Sequence, residues 1–445
     1  MNGIFFALVL ISFAVAAVRH LPWLAGAEGD AVPMDVLGQA MIASASDAVT
    51  LAIGLVGVMA LFLGLMKVAE RGGLLVIIAR LVRPMMVRLF PEVPPEHPAM
   101  GAMILNMSAN ALGLGNAATP FGIRAMQQLD KLNPVKGTAS NAMILFLAIN
   151  TSSVTLLATG VIALRAASGS ENPAGIVPTT LVATICSTAT AIIVAKLCIR
   201  WFPPATTEPP QTGKAALEKA QLDGSVDAAV DQENHDGQQL ERATARPYPA
   251  YVSYLVLGGI AGFIPLTVFY GREIAPWIIP GLMLLLLGFG MARRVRIYEV
   301  FVEGAREGFQ VALRIIPYLV AILVAVGMFR ASGALEYIVT PIGRVTEHIG
   351  MPAEALPMAL LRPLSGSGAY GILASIINDP NTGPDTYTGY LVSTLQGSTE
   401  TTFYVLAVYF GAVQIRRIRY ALIPALSADL VGIIAAVAIV SLMYG

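Results

Sequence analysis

The chain has 445 residues, is 56% hydrophobic and only 13% charged, and has a mean hydropathy of +0.70. Several apolar runs approach the ~20 residues that span hydrocarbon, so the composition describes an all-α, multi-pass integral membrane protein rather than a soluble domain. Its 28 basic and 28 acidic residues cancel, which leaves no basic surplus for nucleic-acid binding and makes orientation depend on where the charges sit.

Residues 3–18 (GIFFALVLISFAVAAV) form the first apolar segment, and the character resumes at Leu21 and Trp23. No basic residue precedes it, so it reads as a span in preference to a cleaved signal peptide. Residues 48–66 form the next span, and Lys67, Arg71, Arg80, Arg83 and Arg88 after it place that end in the cytoplasm. The corner FPEVPPEHP (90–98) cannot stay helical. Residues 99–128 are apolar but carry MSANALGLGNAATPFG (107–122), too rich in Gly, Asn and Pro for a lipid-facing helix; they read as a re-entrant helical hairpin.

The run 140–164 (SNAMILFLAINTSSVTLLATGVIAL) is broken by Asn150, Thr151, Ser152, Ser153 and Thr155. Residues 176–202 return to the cytoplasm at Lys196 and Arg200, and their two cysteines, Cys186 and Cys198, lie roughly 18 Å apart along one helix, beyond disulfide reach. Residues 203–247 carry an acidic excess, no aromatic side chain and many Pro, Gln and Ala, which is the composition of a disordered cytoplasmic linker. It separates a first half, 1–202, from a second, 248–445.

The second half opens with expected spans at 250–270 and 275–292, the latter closed by Arg293, Arg294 and Arg296. EVFVEGAREGF (299–309) reads as a short helix on the membrane surface, followed by a span at 311–329. After a second proline corner, GMPAEALP (350–357), the segment LLRPLSGSGAYGILASI (360–376) has glycines and serines at its centre and looks like a second re-entrant hairpin. The run 390–413 (YLVSTLQGSTETTFYVLAVYFGAV) is broken by Gln396, Gly397, Ser398, Thr399, Glu400, Thr401 and Thr402; it ends at Arg416, Arg417 and Arg419, and 423–443 make the last span.

Laying residues 40–200 over 302–443 pairs Pro84 with Pro341, Ser108 with Ser365, Asn150 with Gly397 and Pro178 with Pro424. The flanking charges reverse between the copies: acid-leaning before the first repeat (Glu28, Asp30, Asp35) and basic before the second (Arg293, Arg294, Arg296). Reversal is what two repeats of opposite orientation require, so the fold class is an inverted repeat with two re-entrant hairpins and two broken transmembrane helices. The expected topology is about nine crossings and two hairpins, N-terminus inside and C-terminus outside.

Hydrocarbon offers polar groups nothing to bond to, so both interruptions mark candidate substrate contacts near the midplane. The first half contributes Asn110, Asn116, Thr119, Asn150, Thr151, Ser152 and Ser153, with Asn106 beside them; the second contributes Ser365, Ser367, Gln396, Ser398, Thr399, Glu400 and Thr402. The bland alternative is that the hydroxyls bond back to carbonyls one turn earlier. Glu400, aligned with Ser153 and lacking an acidic counterpart, is the candidate ion-coupling group; a structural pair with Arg362 is the competing reading. Asp429 and Asp47 are weaker candidates, and Arg362 is an alternative contact for an anionic solute. The four histidines are scattered, no Cys or His cluster has metal-ligand spacing, GLGNAATPFG lacks a Walker lysine, and no catalytic nucleophile stands out. The expectation is therefore no enzyme, no cofactor and no metal site.

Residues 57–73 (GVMALFLGLMKVAERGG), 89–101 (LFPEVPPEHPAMG), 113–125 (GLGNAATPFGIRA) and 148–155 (AINTSSVT) resemble spore maturation protein A. Residues 303–334, 357–371 (PMALLRPLSGSGAYG) and 396–411 (QGSTETTFYVLAVYFG) resemble spore maturation protein B. The resemblance implies a fused A–B protein of the nucleoside-recognition, or Gate, superfamily, which includes concentrative nucleoside transporters and the membrane domain of ferrous-iron transporters. In the nucleoside transporters two hairpins and two unwound helices enclose the substrate. The resulting expectation is a multi-pass protein of the bacterial inner membrane that contacts lipid and transports a small polar, nucleoside-like solute with H⁺ or Na⁺ coupling. The alternatives are a non-transporting scaffold or sensor that binds a ligand or partner in the same pocket, and divalent-metal passage.

Overall fold

The structure is a computed structural model that describes residues 2–24, 32–113, 115–153, 155–202, 248–334, 337, 341–343, 346–379 and 382–445; the linker at 203–247 lies outside them. Among the described residues the regular structure is helical, and β-pairing is limited to one isolated bridge between Thr138 and Arg417. The first half contains α1 (Asn2–Leu24), α2 (Pro33–Arg71), α3 (Leu74–Leu89), α4 (Pro98–Ala111), α5 (Gly115–Leu132), α6 (Asn141–Ser152), α7 (Thr159–Ala167) and α8 (Val177–Trp201). The second contains α9 (Ala250–Ala292), α10 (Ile297–Ala331), α11 (Leu356–Leu361), α12 (Gly366–Ile377), α13 (Tyr387–Ser398), α14 (Thr402–Ala412) and α15 (Leu422–Tyr444).

Among the described residues, three helical stretches are long and apolar enough to cross a membrane: Pro33–Arg71, Pro173–Trp201 and Leu422–Tyr444. Shorter apolar stretches accompany them, including Asn141–Ser152 and Gly366–Ile377. Each of these short helices starts where its sequence supplies a cap. Ser140 Oγ accepts from the Met143 amide, Ser365 Oγ from Gly368 and Thr386 Oγ1 from Gly389, each satisfying an amide that has no carbonyl one turn earlier. The first proline corner ends α3 at Leu89 as expected, and residues 99–128 fold as two helices, α4 and α5, joined by a tight turn at Gly113 (φ +73°). Within 360–376, residues 362–365 likewise form a turn between α11 and α12.

Two segment boundaries differ from the sequence reading. The separate spans at 250–270 and 275–292 are one continuous helix, α9, because YGREI between them holds no proline and supplies helix-forming Arg272 and Glu273. The surface helix at 299–309 and the span at 311–329 are likewise one helix, α10, which lies along α2. Its acidic residues pair with the end of α2, Glu307 with Lys67 at 2.8 Å and Glu303 with Arg71 at 3.3 Å. The contact is close because α10 is bare at Gly304 and Gly308. A Cβ on Gly304 would sit 2.6 Å from the Leu63 carbonyl oxygen, and one on Gly308 would sit 2.7 Å from that of Met59. This small-xxx-small spacing lets two backbones meet where lipid supplies no hydrophobic drive for helix association.

The second close helix pair is α8 with α15. Thr180, Thr184, Ser187, Thr188, Ala191 and Ala195 make a small-residue stripe on α8, opposite Ala425, Ala428, Gly432 and Ala436 of α15. Ser187 Oγ donates to the Ala428 carbonyl at 2.9 Å, and a Cβ on Gly432 would meet Thr399 at 3.0 Å.

Candidate functional site

The first interruption follows Ser152. Ser153 adopts φ +43° and ψ 107°, a left-handed region that a residue with a Cβ enters at a cost of ~1–3 kcal/mol, and helix resumes only at Thr159. The carbonyl freed at Ser152 accepts from Thr184 Oγ1 at 3.1 Å, and Ser153 Oγ meets Thr155 Oγ1 at 2.7 Å. In the second interruption Thr399 is extended (φ −135°, ψ 166°) and helix resumes at Thr402. The two breaks meet directly: the Glu400 amide donates to the Thr151 carbonyl at 2.9 Å.

Three polar groupings surround this junction. In the first, Asn110 Nδ2 donates to Asn150 Oδ1 at 2.9 Å and the Tyr409 hydroxyl to the same oxygen at 3.3 Å, while Asn106 Nδ2 donates to the Tyr409 hydroxyl at 3.1 Å. Gly122 makes the Tyr409 position available, since a Cβ there would overlap the phenol. The second grouping is Ser152 Oγ with Thr188 Oγ1 at 3.0 Å, beside Thr184. In the third, Arg362 donates to the Thr399 carbonyl and, at 3.0 Å, to Thr401 Oγ1, with a Glu400 carboxylate oxygen 3.7 Å away. Next to it Thr402 Oγ1 donates to Asp429 Oδ2 at 2.7 Å.

Most of the sequence-selected residues therefore converge. Asn110, Asn150, Thr151, Ser152 and Ser153 lie at one break, and Ser398, Thr399, Glu400 and Thr402 at the other. Some hydroxyls are already committed: Thr151 and Ser152 bond back to the Ala148 and Ile149 carbonyls at 2.9 Å each, and Ser365 caps α12. Thr119 and Ser367 are half-buried, on α5 and α12, and Gln396 keeps a buried Oε1 without a partner among the described residues. The Asn116 side chain lies outside the described residues. Asp47 is exposed on α2, away from both breaks.

Glu400 is 49% exposed at its side chain, whereas Arg362 is 5% and Asp429 3% exposed. The most enclosed carboxylate at the junction is thus Asp429, which the sequence had ranked below Glu400. Counted from the capping hydroxyls Ser140 and Thr386, the two 12-residue helices α6 and α13 put Asn150 level with Gln396 and Ser153 level with Thr399. That is one residue from the register of the sequence superposition, which pairs Asn150 with Gly397, because a cap sets where each helix starts.

A cavity of about 10 Å³, the room of one water molecule, is enclosed between α11, α13 and α15 by residues that include Arg362, Ser398, Thr399 and Asp429. Sequence reasoning passed over Tyr409, Thr184 and Thr188; the signal for the latter two was the hydroxyl stripe along one face of α8.

The segments after each break hold the loops before the other. Arg165, fully buried, donates to the Pro384 carbonyl at 2.5 Å, to Asp385 Oδ1 at 3.0 Å and to Ser393 Oγ at 3.3 Å, and lies over the Tyr390 ring. At the other end the Arg416 and Arg417 amides donate to the Gly137 carbonyl at 2.8 and 3.0 Å, and Arg419 donates to the Ala139 carbonyl at 3.1 Å and Asn141 Oδ1 at 3.0 Å.

The nucleoside-recognition (Gate) family profile matches residues 52–168 and 312–416, one segment containing each interruption. The chain is 48% identical over 170 residues to spore maturation protein B of Bacillus subtilis, which covers 38% of this chain and 92% of that protein. It is 49% identical over 158 residues to spore maturation protein A of the same organism, covering 36% of this chain and 81% of that protein. Inner membrane protein YjiG of Escherichia coli is 30% identical over 88 residues, 19% of this chain and 55% of that protein. No solved structure matches the chain. With each half homologous to a separate protein, this chain belongs to the nucleoside-recognition (Gate) family as a single polypeptide joining a spore maturation protein A region to a spore maturation protein B region.

Proposed function

We propose that the protein is an inner-membrane transporter of a small polar solute of the nucleoside class, driven by H⁺ or Na⁺, and carries out no covalent chemistry of its own. The observation that carries this reading is the Glu400 amide bonded to the Thr151 carbonyl at 2.9 Å, which brings two broken helices together and gathers amide and hydroxyl groups from both halves. Unwound backbone beside capped half-helices is how membrane proteins present unpaired donors and acceptors to a solute. The reciprocal grip of Arg165 on 384–385 and of 416–419 on 137–141 supports an inverted repeat, with α4–α5 and α11–α12 as its re-entrant hairpins. The family description supports the solute class, and the name of the Escherichia coli relative supports the location.

Flux of labelled nucleosides into proteoliposomes tests this. Transport that falls in Asn150→Ala and Glu400→Gln supports it; transport absent, or unchanged in both variants, sinks it.

A second reading is favoured by the cavity of about 10 Å³, which holds no solute of nucleoside size in this conformation. It is a membrane sensor or scaffold whose breaks bind a ligand without passing it. Saturable nucleoside binding with no flux under any ion gradient decides for it.

A further inference from the structure

We propose that Asp429, and not Glu400, is the group that takes up a proton at the junction, with Arg362 as the fixed cation between the two carboxylates. The proposal rests on the transport reading above and names its coupling site.

The charges at the junction do not cancel. Arg362 supplies one guanidinium, and its charge acts on both Glu400 and Asp429. Arg362 spends its hydrogen bonds on the Thr399 carbonyl and on Thr401, and stands 3.7 Å from Glu400. Glu400 is also half-exposed at its side chain, so the protein does not wall it in as it does Asp429. Asp429 has neither relief: it is 3% exposed, and its hydrogen bond is the one from Thr402 to Oδ2. Among the described residues its Oδ1 is buried without a partner, as is the Nε of Arg362, and both residues line the cavity.

Among the described residues the surroundings supply no second cation. The packed helices α6, α11, α12, α13 and α14 carry no Asp, Glu, Lys, Arg or His. The neighbouring face of α8 offers Thr184, Ser187 and Thr188, and its charged residues, Lys196 and Arg200, lie toward the far end of the helix. Ionised, the group holds two negative charges and one positive. One proton bonded to Asp429 Oδ1 turns the carboxylate into a neutral acid and leaves Arg362 and Glu400 as a matched pair. A buried charge without its counter-ion is costly enough that neutralising it by a proton is the ordinary outcome.

The same observations select a proton over Na⁺. A metal cation needs several oxygen ligands and tolerates no neighbouring guanidinium, whereas a cavity of about 10 Å³ beside Arg362 supplies neither room nor sign. Asp429 and the whole of α15 also lie outside the two segments that match the family, 52–168 and 312–416.

Infrared difference spectroscopy on the full-length protein in lipid nanodiscs, stepped in pH without any solute, tests this. The expected result is a protonated-carboxyl carbonyl band that is lost in Asp429→Asn, still present but formed only at lower pH in Glu400→Gln, where Arg362 is free to balance Asp429, and shifted in Thr402→Val, which removes the hydroxyl bonded to Oδ2. The Thr402→Val variant is near-isosteric and serves if Asp429→Asn does not fold. A band absent from the wild-type protein, retained in Asp429→Asn, absent at every pH or unmoved along the pH axis in Glu400→Gln, or unmoved in Thr402→Val overturns the proposal, as does one that responds to Na⁺ and not to pH. Because no solute is present, a negative result here is distinct from failure of the transport assay.

Discussion

The backbone amide of Glu400 donates to the backbone carbonyl of Thr151 at 2.9 Å, so the interruption of α13 is hydrogen-bonded to the interruption of α6 through main-chain atoms alone. No side-chain substitution removes that bond directly. Its neighbours set how rigid the junction is, and they are where mutation acts.

Asn150 is the first such neighbour, since its Oδ1 accepts from both Asn110 and Tyr409. Asn150→Ala leaves those two donors without their acceptor, a loss of about 1–3 kcal/mol, read as a lower melting temperature in detergent. Tyr409→Phe is expected to cost less, because Asn106 Nδ2 keeps the Ala118 carbonyl at 2.7 Å. Equal losses in the two variants would show that Asn150 is not the hub.

The contact between α2 and α10 depends on an absent side chain. Gly308→Val drives its Cβ into the Met59 carbonyl and the Ala60 backbone, neither of which can rotate away, and should cost at least about 1–3 kcal/mol. Gly411→Ala is the control, because a Cβ there meets nothing within 4 Å. Thermal unfolding of both variants should separate them clearly.

Arg165 is the strongest single lock between the halves. Arg165→Met removes the cation from Asp385 and the donors from the Pro384 carbonyl, for an expected loss of about 3 kcal/mol. The low end of the range for a buried pair applies because Asp385 is 34% exposed. Asp385→Asn should be milder, since the carbonyl contacts of Arg165 survive. Limited proteolysis within 168–172 and 382–386 should report the loosening in Arg165→Met first.

At the opposite junction the Tyr420 hydroxyl donates to Asn141 Oδ1 at 2.9 Å, and burial pushes its pKa up from 10.0 to about 12. Between those values the unfolded chain releases the phenol proton and the folded chain keeps it. The contribution is whole below pH 10 and is lost as pH rises through about 12, by on the order of 1 kcal/mol per pH unit. Melting temperatures of the wild-type protein and of Tyr420→Phe should converge over that window; parallel curves would show that the hydroxyl does not report the junction.

Much of this site was readable because membrane burial makes polar sequence conspicuous. Asn150 to Ser153 and Ser398 to Thr402 stand out from apolar runs, and both breaks fall there. Caps were equally local: Ser140, Ser365 and Thr386 fix helix starts through bonds three residues long. Reading α10 as a surface helix plus a span failed for a non-local reason. Glu303 and Glu307 look solvent-facing in sequence, and only Lys67 and Arg71 on another helix explain why they continue a helix packed along α2.

The sequence by itself determined the helical membrane class, the two interruptions and the residue types at them, because each follows from composition or from contacts within one turn; the family followed from the motifs that resemble the two spore maturation proteins. The tertiary structure alone decided which groups are spoken for and which are not. Ser152 and Thr151 bond back into their own helix, Glu400 is half-exposed, and Asp429, unremarkable in its span, is enclosed beside Arg362. Burial and counter-ion distance are properties of residues hundreds of positions apart, and no pattern along the chain encodes them.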